Sequence, residues 1–106
     1  MISLFASTYK DEAGNPVPAD SYVVAMWDGM TALNHALLKT SGNATGDALV
    51  AALGGVSFKS PRGTFAFDQG THNVIEDIYI RQVRASGTSV ANAIVDTIAN
   101  VSDTGK

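Results

Sequence analysis

The chain has 106 residues, 45% of them hydrophobic and 16% charged, with a formal net charge of −3. This length makes one domain or a piece of one, able to bury roughly 65% of its unfolded surface. Seven Lys and Arg against ten Asp and Glu argue against nucleic-acid or anionic-membrane partners, and the absence of Cys rules out disulfides, thiolate zinc and cysteine nucleophiles while leaving the compartment open.

Ile2, Leu4, Phe5 and Tyr9 predict one face of a short helix ending near Lys10. Residues 11–18 (Asp-Glu-Ala-Gly-Asn-Pro-Val-Pro) are loop, since Gly14, Asn15, Pro16 and Pro18 break any repeat. The clearest helix follows. Pro18 fits its first turn, Asp20 or Ser21 its cap, and Val23, Met26, Trp27, Met30, Leu33, Leu37 and Leu38 form an apolar stripe at three- and four-residue steps. Gly42 closes it near Thr40. A third helix opens at Thr45, turns Leu49, Ala52 and Leu53 inward, and stops at Gly54-Gly55.

From Val56 the period changes to two. Ser60-Pro-Arg-Gly63 predicts a type I turn. Phe65 and Phe67 point one way and Thr64, Ala66 and Asp68 the other. Asp68 to Thr71 is a second turn, Val74 to Val83 a β-branched strand, and Ala85 to Thr88 the turn after it. Residues 90–101 are open between two readings: Val90, Ile94, Ile98 and Val101 fit a helix, whereas Ile94, Val95, Thr97 and Ile98 favour a strand. The opening residues lack the length and basic start of a signal peptide, so for an exported protein that signal lies outside this chain. No apolar run reaches the roughly 18 residues of a membrane span.

Three blocks resemble the C-terminal part of the substrate-binding proteins of ABC importers, in the branched-chain amino acid and amide group with the type I periplasmic-binding-protein fold. The first is Phe5-x3-Tyr9, the Gly14-x-Pro16 loop and the helix carrying Tyr22-x4-Trp27-Asp28-Gly29, where family members usually have Tyr-Asp-Ala. The second runs from Asp47 to Gly54 and into Val56-x-Phe58-x-x-Pro61-Arg62-Gly63. The third is Phe67-Asp68, Thr71-His72 and Ile78-Tyr79-Ile80-Arg81-x-Val83. Their order and spacing span nearly the whole chain.

The resemblance implies an α+β unit, itself a fragment of an α/β type I fold, with two to three helices before a small, mostly antiparallel sheet. It makes residues 90–101 a strand. It also implies one domain over residues 1–106, matching the last third of a two-lobed protein whose βαβ units are absent here. The helices then lack their usual sheet, and self-association as a homodimer, with strands exchanged, is expected to cover them. The implied function is non-catalytic: solute binding for an ABC importer of branched-chain amino acids or related amides, in the periplasm or another extracytoplasmic space, with a membrane permease as partner and no cofactor. The rival is a small dimeric structural or interaction module that has lost solute binding.

By the same resemblance, the start of the second helix approaches the solute cleft, making Tyr22 and Trp27 the candidate ligand contacts. The competing reading buries both in the core, since Trp27 lies on the stripe. Arg62 is read as a solvated turn residue, although an arginine there can clamp a carboxylate. His72 with Asp68 and Asp77 has the residue types of a metal site or triad fragment, but no nucleophile or third ligand stands beside them. Asp68 as a turn cap with a hydrogen-bonded His72 is the expectation, and neither a catalytic residue nor a metal ligand is assigned. His35 gets no role, and the glycosylation-type tripeptides at Asn43 and Asn100 are too short to carry weight.

Overall fold

The computed structural model describes residues 1–103. Helices α1 (Ile2–Thr8), α2 (Ser21–Lys39) and α3 (Gly46–Leu53) precede strands β1 (Ser57–Ser60), β2 (Gly63–Phe67), β3 (Val74–Ser86) and β4 (Ser89–Val101). The strands form one antiparallel sheet in the order β1-β2-β3-β4. Residues 90–101 are therefore strand, as the resemblance implied and the residue pattern alone did not decide.

Local chemistry accounts for the boundaries. In the first loop, Asp11 Oδ1 accepts from the backbone N–H groups of Ala13 and Asn15, and Val17 N donates to Tyr9 O, tying the loop ends together. Asp20 is the N-cap of α2, its carboxylate accepting from Val23 N at 2.9 Å, a bond worth about 1 kcal/mol. Pro18 lies two residues before that cap, outside the helix. Thr45 is the N-cap residue of α3 but makes no side-chain cap bond; Asn43 Oδ1 accepts from Thr45 N instead. The strand β3 runs three residues beyond Val83, and the hairpin narrows to Gly87-Thr88. Gly87, at φ +59, takes the left-handed position such a two-residue turn needs.

The core corrects the expected stripe of α2. The buried residues of this helix are Val24, Asp28, Ala32 and Ala36, one side at four-residue steps. Met26, Trp27, Met30 and Leu38 are exposed, and Val23, Leu33 and Leu37 are half-buried. Packing explains the exchange. Ala32 and Ala36 are small enough to bring α2 close to Val56 and Phe65, with Leu49, Ala52, Leu53, Phe58, Phe67 and Val74 around them. The large side chains are left on the face where no further layer is packed. Phe58 and Phe65 stand opposite each other across β1 and β2, with stacked rings at 4.7 Å, and Phe67 meets Phe65 edge-on at 5.2 Å.

Candidate functional site

The first turns of α2 separate two surfaces. On the outer side, α1 and α2 frame adjoining hollows of about 310 and 460 Å³, lined chiefly by Leu4, Phe5, Tyr22, Met26, Trp27 and Met30. Tyr22 is 83% exposed and Trp27 44% exposed, so neither lies in the core that these helices and strands form. Their residue numbers set their place: positions 22, 26 and 30 repeat by four along one helix face, and 23 and 27 lie beside it. The lining carries no charged side chain, so its side chains offer dispersion and ring stacking to a solute.

On the inner side, a hollow of about 400 Å³ is lined by Ser21, Val24, Arg62, Tyr79, Arg81 and Ile94, among others. Of its lining residues, Arg62 belongs to an ion pair. Asp28 is 1% exposed, and its Oδ2 accepts from Ser60 Oγ at 2.9 Å and from Arg62 Nη2 and Nε at 2.9 and 3.3 Å. The second acid on Arg62 is Glu76, with Oε2 at 3.2 Å from Nη2. Tyr79 Oη donates to the carbonyl of Arg62. Arg62 is thus held from three sides with its side chain 31% exposed, which corrects its reading as a solvated turn residue.

Sequence reasoning missed this pair. The signal was present: Asp28 is the only acidic residue within α2, whose only basic residue is Lys39 in the last turn, and it sits at the four-residue step that fills the core. A buried carboxylate requires a cation or several donors, and Arg62 stands in the turn that the fold brings against it.

The second turn follows expectation at Asp68 and departs from it at His72. Asp68 Oδ1 accepts from the backbone N–H groups of Gly70 and Thr71 and from Thr71 Oγ1, and Oδ2 accepts from Ser102 Oγ. The Thr71 N–H, the strongest influence, and then that of Gly70 hold the Asp68 carboxyl below its ordinary value of 3.8. His72 contributes through its backbone, donating N–H to Asp68 O at φ +61, and its ring is exposed. Asp77 Oδ1 accepts from Asn100 N, across the β3–β4 hairpin. Among the described residues no group of three or more His, Asp or Glu is placed to hold a metal, and no helix is long and apolar enough to cross a membrane.

The three helices thus stand before an antiparallel meander, with an aromatic groove at the start of the longest helix. The model of the periplasmic binding protein family matches residues 2–88, and the chain belongs to that family. Leu/Ile/Val-binding protein homolog 6 of Brucella abortus is 26% identical over 102 residues, covering 95% of this chain and 26% of the relative. A solute-binding protein of an ABC transporter from Rhodopseudomonas palustris, solved with 3,4-dihydroxybenzoic acid, is 34% identical with a TM-score of 0.79. That match covers 97% of this chain and 28% of the other. Another from the same species, in complex with p-hydroxybenzoic acid, is 29% identical with a TM-score of 0.71, covering 78% and 23%. The chain therefore spans about a quarter of the length of these relatives.

Proposed function

We propose that this chain is the C-terminal part of a solute-binding protein serving an ABC importer, and that Tyr22 and Trp27 form one wall of its solute site. The observation that carries this reading is the exposure of two aromatic rings on an uncharged groove, in a chain whose family binds solutes. Residues 1–106 act as one unit and bind without catalysis. The complete protein closes two lobes around its solute outside the cytoplasm and presents the closed form to a permease.

Aromatic carboxylic acids are the favoured solute class. The groove offers stacking surfaces, and two of the similar solved proteins hold hydroxylated benzoic acids. Branched-chain amino acids are the second reading, supported by the name of the Brucella relative and by the apolar lining at Met26 and Met30. Trp27 is the only tryptophan, so its fluorescence reports on the groove directly. Titration with 4-hydroxybenzoate should give a saturable change, with a dissociation constant on the order of 1 mM for this part alone. Saturation by leucine and not by the benzoate would favour the second reading. No saturable response to benzoates, leucine or short-chain amides would leave the chain as a structural or interaction module.

A further inference from the structure

We infer that Arg62 is a positioning residue for the aromatic wall of α2: acting through Asp28, from the opposite side of the helix, it sets where Tyr22 and Trp27 stand. This role rests on the reading of those two rings as part of a solute site.

The two halves of α2 are anchored differently. The second half is held by apolar packing, with Ala32 and Ala36 joined to Val56 and Phe65 and with Leu49, Ala52 and Leu53 of α3 against them. The first half carries Tyr22, Met26 and Trp27, all exposed. Its buried positions are Val24, which lies outside that cluster, and Asp28. Val24 makes an apolar contact with no preferred direction. Asp28 makes the directional tie, through Oδ2 to Ser60 Oγ and to Nε and Nη2 of Arg62. A carboxylate 1% exposed cannot leave its cation without a large desolvation cost, so this half of the helix stays where Arg62 holds it.

Arg62 is itself fixed from several directions. Its Nη2 also reaches Glu76 Oε2 on β3, its carbonyl accepts from Tyr79 Oη on the same strand, and its N–H donates to Ser60 Oγ. A planar guanidinium shared between two carboxylates keeps one orientation and does not follow a sliding helix. Trp27 adjoins Asp28 on the helix, about 1.5 Å along the axis, so a displacement of the carboxylate is carried to the ring. Every partner in this junction lies between residues 28 and 79 of the chain, so the tie is independent of whatever covers the outer face.

The test uses the 106-residue chain, in which Trp27 is the only tryptophan. Acrylamide quenching of Trp27 is measured without solute, beside the 4-hydroxybenzoate titration, on variants with an unchanged far-UV spectrum. Arg62→Gln and Asp28→Asn should each change the quenching constant at least about 1.5-fold and weaken the titration at least about threefold, and the double variant should do no more than either alone. Asp68→Ala disturbs the second turn and none of these bonds, and it should move neither reading. Glu76→Gln cuts the partly exposed arm of the junction and leaves Asp28 paired, so it carries the test where the other variants fail to fold. It should move Trp27 in the same direction by a smaller amount. Unchanged quenching in the folded variants overturns the inference, as does an equal change in Asp68→Ala, which would mark a general loosening. A wild type that no benzoate, leucine or amide saturates would remove the solute reading, while the quenching comparison would still decide whether Arg62 places the rings.

Discussion

Arg62 Nη2 lies 2.9 Å from Asp28 Oδ2, joining the β1–β2 turn to the middle of α2 across 34 residues of sequence. Ser60, from the same turn, donates to the same oxygen, while Asp28 Oδ1 is buried with no protein partner. The carboxylate is therefore sensitive to losing its cation. Arg62→Ala should destabilise the fold by about 2–4 kcal/mol in urea denaturation, less than for a fully enclosed pair because the guanidinium is partly solvated. Adding Asp28→Ala should recover part of that loss. Simple additivity of the two substitutions would mean that the pair is not coupled.

Gly63 is the second fixed point of that turn. It adopts φ +114, and a Cβ there would meet Asp77 Oδ2 at 2.6 Å and Tyr79 Oη at 2.9 Å. Gly63→Ala should cost about 2–3 kcal/mol through backbone strain and overlap together. A loss below about 0.5 kcal/mol would show that β3 gives way freely.

At the groove, function and stability should separate. Tyr22 is 83% exposed, so Tyr22→Ala should shift stability by no more than about 0.5 kcal/mol. It should weaken the response of Trp27 fluorescence to 4-hydroxybenzoate at least about fivefold, the loss of one stacked ring. An unchanged titration would remove Tyr22 from the solute site.

The Asp68 turn predicts an acid response. A carboxyl depressed in the fold and ordinary in the unfolded chain adds stability that is fully present above its unfolded value. That contribution disappears as pH falls through the lower folded value. The melting temperature of wild type should exceed that of Asp68→Ala by a constant margin from pH 7 to about pH 5, and the margin should shrink below the ordinary 3.8. A margin that grew on acidification would contradict the turn assignment.

How legible this protein is in its residues differs between its parts. Asp20, Gly42 and the prolines mark the helix ends, and the switch to alternation at Val56 marks the sheet, because these signals act over a few residues. The buried side of α2 departs from the stripe for a physical reason: a hydrophobic stripe shows which side wants burial, while Ala32 and Ala36 show which side can come close. Where no further layer covers Met26 and Met30, close approach wins. Residues 90–101 carry both periods, and pairing with β3 selects the strand. The Asp28–Arg62 contact joins distant segments, so only the folded chain displays it; Tyr22 and Trp27 were singled out by resemblance, with no local chemical mark.

The order β1-β2-β3-β4 means that every rung of the sheet joins neighbours in the chain. Two of its three connections are two-residue turns, at Pro61-Arg62 and Gly87-Thr88. No long loop must close before the first strand contact is rewarded, which favours quick assembly. Such wiring also makes the sheet self-contained in its pairing. All three of its pairings are made within residues 57–101, so none waits on a distant segment.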